Sequence, residues 1–316
     1  LDWLKEFVQI NNMEFQGRLN AVVEIEDLFK AKDFRATTSV DSLKMNNFYL
    51  GKLNGKVAFQ DVFSPIDINA SIRKNKSKIG ILGTYTSPAV ETNSANDHYL
   101  NFKIEARDYP LKIIEEFIGS TVSQTEGSFN ADVLLIGAAS TPEITGNVRL
   151  SKLGIMVDYL QTFYRIENAT VKVTNDKFEI GGIELQETNG QITRGCLMRD
   201  KFGYQAFVEG GVSHNRLDDF KFDISIVSRK FLFMDTKKED NELFYGTAIG
   251  DALVDITGSL DKPEIEVTAT TFKGTEIVLP ITSSTSSNEV NFINFVNNDD
   301  TSSTSNERKY VAPVGL

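Results

Sequence analysis

Nucleophiles, bases and metal ligands are scarce in this chain. Its one cysteine is Cys196, and its two histidines, His98 and His214, lie far apart. Nucleophilic catalysis needs a base beside the nucleophile and an acid that orients the base. Neither histidine has such companions nearby, and their polar neighbours read as surface loops. Cys196, within Thr193-Arg194-Gly195-Cys196-Leu197, carries no reactive signature and reads as a thiol buried in a strand. A single cysteine excludes both an internal disulfide framework and a zinc cluster. The 44 acidic residues could serve glycoside chemistry only as a pair at a defined separation. The run Asp235–Glu242 lacks calcium-loop spacing and reads as a solvated loop. Arg73, Lys74, Lys76 and Lys78 read as a basic hairpin tip. Gly51, Lys52, Gly55 and Lys56 lack the spacing of a phosphate loop. These residue types predict no catalytic residue, no metal site and no cofactor, so the chain reads as non-enzymatic.

The elements that would position such residues follow from alternation. Ile66, Ile68, Ala70 and Ile72 share one face of a strand, and Asp67, Asn69 and Ser71 share the other. Leu100, Phe102, Ile104 and Ala106 repeat the pattern, as do Ile144, Val148 and Leu150, and Phe220, Phe222, Ile224 and Ile226. Strict alternation means strands wet on one side and dry on the other. Asn54-Gly55, Asn175-Asp176, Gly181-Gly182 and Asn189-Gly190 are read as turns, giving antiparallel meanders. Helical signals are few: one opening at Pro110 with Leu111, Ile114 and Ile118, one at Val157, Leu160 and Tyr164, and one at Leu4, Phe7 and Val8. They are too small to cover the dry faces. A second sheet, a curl of the sheet on itself or an apolar ligand must do so.

One phrase occurs twice. Ala131, Val133, Leu135, Gly137, Pro142, Glu143 and Ile144 recur in frame as Ala252, Val254, Ile256, Gly258, Pro263, Glu264 and Ile265. Each copy predicts a strand, a turn closed by Gly137 and Pro142 or by Gly258 and Pro263, and a second strand. The composition is that of a globular chain: 316 residues, 41% hydrophobic, 24% charged. A formal charge of −11 argues against nucleic acid and against tight binding to anionic membrane surfaces. No apolar run reaches the roughly 18 residues of a membrane-spanning helix, and Leu1–Ile10 lacks the features of a signal peptide. The chain reads as a segment of a longer protein. Residues 282–310 turn to Ser, Thr, Asn and Asp and read as a linker or insertion, with Phe292, Ile293, Phe295 and Val296 as an apolar island inside it.

The order of phrases from Leu100 onward carries a resemblance. Leu100–Ala106 leads to Tyr109-Pro110-Leu111, then Gly137…Pro142, Gly146-Asn147-Val148 and Tyr164-Arg165-Ile166-Glu167-Asn168-Ala169. Further on stand Glu187-Thr188-Asn189-Gly190, the block His214–Phe222 and Leu243-Phe244-Tyr245-Gly246, with Thr271-Phe272-Lys273-Gly274-Thr275 and Leu279-Pro280-Ile281 closing the second repeat. This order resembles the TamB family of translocation and assembly module proteins, in the version typical of Bacteroidetes, just upstream of and entering its C-terminal domain. The likeness covers residues 100–281, and residues 1–99 fit as degenerate repeats.

The resemblance implies an all-β fold, an elongated antiparallel sheet curled into a trough with an apolar interior and a few short helices. It implies a periplasmic protein, held to the inner membrane by an N-terminal helix not present in this chain, that acts in outer-membrane biogenesis. It implies a phospholipid or an outer-membrane protein client as cargo, an Omp85-type TamA-like barrel as partner through regions outside this chain, and no catalytic residues. Ile66, Ile68, Ile72, Phe102, Ile104, Val148, Leu150, Phe222, Ile224 and Ile226 are expected to line the interior. The alternative is a closed β-sandwich or adhesin module, whose dry faces pack on each other and whose function sits in loops such as Asp235–Glu242.

Overall fold

The computed structural model describes residues 14–27, 32–46, 48–61, 64–87, 98–118, 121–181, 183–186, 192–215, 218–241, 243–259, 262–280 and 312–313. The expected helix at Leu4–Val8, the turn at Asn189-Gly190 and the stretch 282–310 lie outside these residues. Among the described residues strands dominate, and all nineteen join one sheet. They are β1 (Phe15–Gln16), β2 (Leu19–Asp27), β3 (Lys32–Met45), β4 (Phe48–Phe59), β5 (Ile66–Lys74), β6 (Ser77–Thr86) and β7 (Tyr99–Pro110). After the short helical segment come β8 (Val122–Ala138), β9 (Glu143–Val157), β10 (Thr162–Val173), β11 (Lys177–Gly181), β12 (Ile183–Gln186) and β13 (Ile192–Arg199). The rest are β14 (Gln205–Asn215), β15 (Asp218–Thr236), β16 (Tyr245–Ser259), β17 (Pro263–Thr271), β18 (Glu276–Val278) and β19 (Ala312–Pro313).

From β2 to β11 each strand pairs antiparallel with the next. The meander then departs from strict order. β10 pairs with β11 over Thr170–Val173 and with β13 over Arg165–Ile166, and β14 takes both β11 and β13 on its other side. β15, β16 and β17 resume the meander.

The repeated phrase is two equivalent hairpins, β8–β9 and β16–β17. Ala131 opposes Val148 and Leu135 opposes Ile144 in the first; Ala252 opposes Ala269 and Ile256 opposes Ile265 in the second. Gly137 (φ 103°) and Gly258 (φ 84°) close the outgoing strands in a conformation that side chains rarely adopt.

Two local expectations are corrected. Asn54-Gly55 is no turn but the middle of β4, where Gly55 opposes Thr38 on one side and Ala70 on the other. A Cβ on Gly55 would meet Thr38 Oγ1 at 2.8 Å, so the glycine makes room rather than a bend. Val157, Leu160 and Tyr164 form no helix: β9 ends at Val157, a turn follows, and Val157 opposes Thr162 across a hairpin. The expected helix after Pro110 is present as a 3₁₀ turn, Leu111–Ile114, running into α1 (Glu115–Ile118).

Several register breaks fall near one line across the sheet, and one, between Ser213 and Asn215 in β14, lies toward the other end. Those on the line lie between Ala106 and Tyr109 in β7, between Ser123 and Ser128 in β8, and between Ser228 and Phe231 in β15. Asp108, Gln124, Lys152 and Lys230 along this line all have positive φ. Bulges bend strands, and two buried clusters straddle this line. One joins Val40, Leu43, Met45, Phe48 and Leu50 of β3–β4 to Ala106, Tyr109, Ala131 and Val133. The other joins Tyr164 and Ala169 of β10 to Cys196, Met198, Ala206, Val208 and Phe231.

Candidate functional site

Directly opposed residues in antiparallel strands share a face, so the register places the candidate residues. Ile68 opposes Gly83, Gly83 Phe102, Phe102 Leu135 and Leu135 Ile144. One step along, Ile104 opposes Val133, Val133 Gly146 and Gly146 Val173. From Val173 this row runs through Phe178 and Val212 to Phe222, crossing into the second half of the sheet. A third row carries Ile72, Ile79, Ala106, Ala131 and Val148. Leu150 lies between Phe129 and Ala169, Ile224 opposes Gly210 and Ile256, Ile226 opposes Val208 and Val254, and Ile66 opposes Tyr85. The register therefore brings all ten residues onto one face.

All ten are half-buried. Ile72, Ile104 and Val148 pack against the first buried cluster, and Leu150, Ile224 and Ile226 against the second. Ile66, Ile68, Phe102 and Phe222 belong to neither. The opposite face carries the charges, with Lys103 paired to Glu105 at 2.5 Å and Lys177 to Asp223 at 2.9 Å.

One end of the apolar face is fastened by two tyrosines. Tyr109 reaches past the tip of the β5–β6 hairpin and donates its hydroxyl to the Leu50 carbonyl of β4 at 2.6 Å. Its ring meets Phe129 edge-on, with centroids 5.8 Å apart. Burial pushes its phenol up to about 12. Tyr164 likewise reaches past the β13–β14 tip, to the carbonyls of Leu232 and Phe233 on β15 at 3.3 and 3.1 Å. It stacks on Phe231 at 5.3 Å, and burial raises its phenol too. Asp200, only 3% exposed, braces this tip. Its carboxylate accepts the backbone N–H groups of Phe202 at 2.8 Å, Tyr204 at 3.0 Å and Leu232 at 2.9 Å.

The other end of the face carries both histidines. His98 is exposed, with Nδ1 2.5 Å from the Tyr85 hydroxyl and its ring stacked on Tyr85 at 5.2 Å. His214 is not the surface loop residue expected from sequence. It is buried in β14, against Phe178 at 4.8 Å and Phe220 at 6.1 Å, and desolvation lowers its pKa. Its sequence neighbours are polar, but it is covered by Phe220 across the β14–β15 hairpin and by Phe178 of β11, whose pairing with β14 the sequence does not announce. Cys196 is buried in β13 as expected, and desolvation pushes its thiol up to about 11, out of the reactive range. Arg73–Lys78 forms the β5–β6 tip as expected. Residues 238–240 turn in the expected loop, although Asn241 beside them is buried.

Tyr109 had no signal in the sequence beyond the phrase that contains it, Tyr164 stood in a phrase and in a helical spacing that pointed elsewhere, and Asp200 had none. Among the described residues no helix is long and apolar enough to cross a membrane. The family model of the TamB C-terminal domain matches residues 196–314, from within β13 through the stretch 282–310. Neither a curated protein nor a solved structure matches the chain.

Proposed function

We propose that this member of the TamB family, matched over residues 196–314, acts in the cell envelope in outer-membrane biogenesis and that its apolar sheet face is a conduit for phospholipid acyl chains in the periplasm. The observation that carries this reading is the register from Ile104 through Val133, Gly146, Val173, Phe178 and Val212 to Phe222, which joins the two halves of one face. Val133 and Val173 are buried within it, while Ile104, Phe222 and the other eight candidates on that face stay half-open. An acyl chain on such a face removes apolar surface from water at about 25 cal/mol per Å². The charged opposite face keeps the sheet soluble while the inner one is loaded.

A closed sandwich fits these observations less well. All described strands belong to one sheet, and Ile66, Ile68, Phe102 and Phe222 find no buried partner cluster. In the proposed role the side chains solvate cargo and perform no bond-making step. The longer protein would hold the inner membrane through an upstream helix and meet an Omp85-type TamA-like barrel through regions outside this chain. A nascent outer-membrane protein strand is the competing cargo.

The test is complementation of a deletion strain of the host by the full-length protein with Ile68→Glu, Phe102→Glu and Phe222→Glu combined. The conduit reading expects loss of the outer-membrane barrier with the protein folded and present at normal level. Full complementation overturns it. Loss of barrel-protein assembly with normal phospholipid distribution assigns the face to protein clients instead.

A further inference from the structure

The charged face holds an arrangement that the conduit does not use. Lys52 opposes Arg73, Arg73 opposes Lys78, and Lys78 opposes Arg107 across β4–β7. Like charges directly opposed on neighbouring strands cost stability, and this row occurs in a chain of net charge −11. Carboxylates offset its two ends: Lys52 pairs with Asp41 at 2.8 Å, and Arg107 with Asp132 at 2.9 Å. Among the described residues, Arg73 and Lys78 at its centre have no carboxylate within ion-pair distance and are exposed. Beside them lies a shallow concavity of about 360 Å³ whose walls include Asn69, Ser71, Arg73, Lys78, Gly80 and Lys103, together with the Glu105 carboxylate, which is itself neutralised by Lys103 at 2.5 Å and Arg107 at 3.6 Å. Its floor at Gly80 is open, since a Cβ there would approach nothing closer than 3.8 Å.

We propose that Arg73 and Lys78, with Ser71, Asn69 and the open floor at Gly80, form a binding site for a phosphate group. The guanidinium offers two parallel donors and the ammonium a point charge, the pairing that phosphate recognition favours. The hydroxyl of Ser71 and the amide of Asn69 add neutral donors. A bound phosphate would relieve the repulsion between the two cations, which gives the opposed pair a purpose. The overall negative charge set the sequence expectation against anionic surfaces, but local charge governs contact where screening is about 8–10 Å. The phosphate can belong to a lipid headgroup or to a soluble phosphate compound. This site lies on the face opposite the proposed conduit and does not depend on it.

The experiment compares the full chain with Arg73→Gln/Lys78→Gln and with Gly80→Val, by calorimetric titration of pyrophosphate and by flotation with phosphatidylcholine vesicles with and without phosphatidylglycerol. The wild-type chain should bind one or both probes, more weakly as salt rises. Each variant should lose at least about tenfold in affinity (about 1.4 kcal/mol). Gly80→Val keeps every charge and fills only the floor, so it separates a built site from diffuse attraction. The double variant should also unfold at equal or higher denaturant, because it removes two opposed cations. Binding to pyrophosphate assigns a soluble phosphate, and binding only to phosphatidylglycerol vesicles assigns a headgroup. No binding by the wild-type chain, or wild-type binding by Gly80→Val, overturns the proposal.

Discussion

At Tyr109 a phenol hydroxyl gives one short bond to one carbonyl; at Tyr164 the same group divides two longer bonds between neighbouring carbonyls. Both tyrosines do one job, tying strands on either side of a shorter hairpin. The first comes from the strand after its hairpin and is backed by the helical turn at Leu111–Ile118, and the second comes from the strand before. The second tie also leans on Asp200, a buried carboxylate holding three backbone N–H groups, which has no counterpart among the described residues of the first half. The difference teaches that a sheet bent by bulges needs its edge fastened, and that different side chains can fasten it. The bend is the shared requirement and the fastening is local.

Breaking the second tie at its base should have the largest effect. Asp200→Ala leaves three backbone donors without acceptors and should cost about 3 kcal/mol, with hydrogen exchange at the Leu232 amide rising by orders of magnitude. Unchanged exchange at Leu232 would remove Asp200 from the account. Alkaline pH tests both ties together. A phenol whose folded pKa stands above its unfolded value near 10 contributes stability that is complete below pH 10 and is lost as pH rises. Chain stability should therefore fall between pH 10 and 12 by up to about 1.4 kcal/mol per unit for each such tyrosine. Urea unfolding of Tyr109→Phe should show a shallower fall over that window.

The comparison sharpens further with the two single substitutions at neutral pH. Tyr109→Phe should cost about 1–2 kcal/mol and Tyr164→Phe less, because its bonds are longer and shared. The reverse order would mean that the stacked ring, not the hydroxyl, carries the tie. The smallest effect belongs to His214. Its lowered pKa means that the stability it contributes is present above about pH 6.5 and is lost as pH falls below that. Denaturant midpoints at pH 7 and 5 should converge in His214→Leu relative to the parent chain.

Much of this was legible in the residues because alternation is a local property. Ile66–Ile72, Leu100–Ala106 and Phe220–Ile226 each declare a dry face with no knowledge of partners, and the paired phrase declares two equivalent hairpins. Asn54-Gly55 misled because a turn dipeptide and a space-making glycine look alike until Thr38 is placed across from it. Val157, Leu160 and Tyr164 misled because helical spacing arose by chance across a hairpin. The ties, the buried His214 and the opposed cations were hidden for one reason. Each depends on which strands become neighbours, and the register that decides this is not written in any single strand.

The central claim is that the face holding Phe102 carries acyl chains and the face holding Val227 does not. A photo-reactive amino acid placed at Phe102 or Phe222, and at the exposed opposite-face positions Val227 or Leu253, reads this directly after irradiation in cells expressing the full-length protein. The account predicts phospholipid adducts by mass spectrometry at 102 and 222 and none at 227 and 253. Equal adducts on both faces, or none on either, would contradict it.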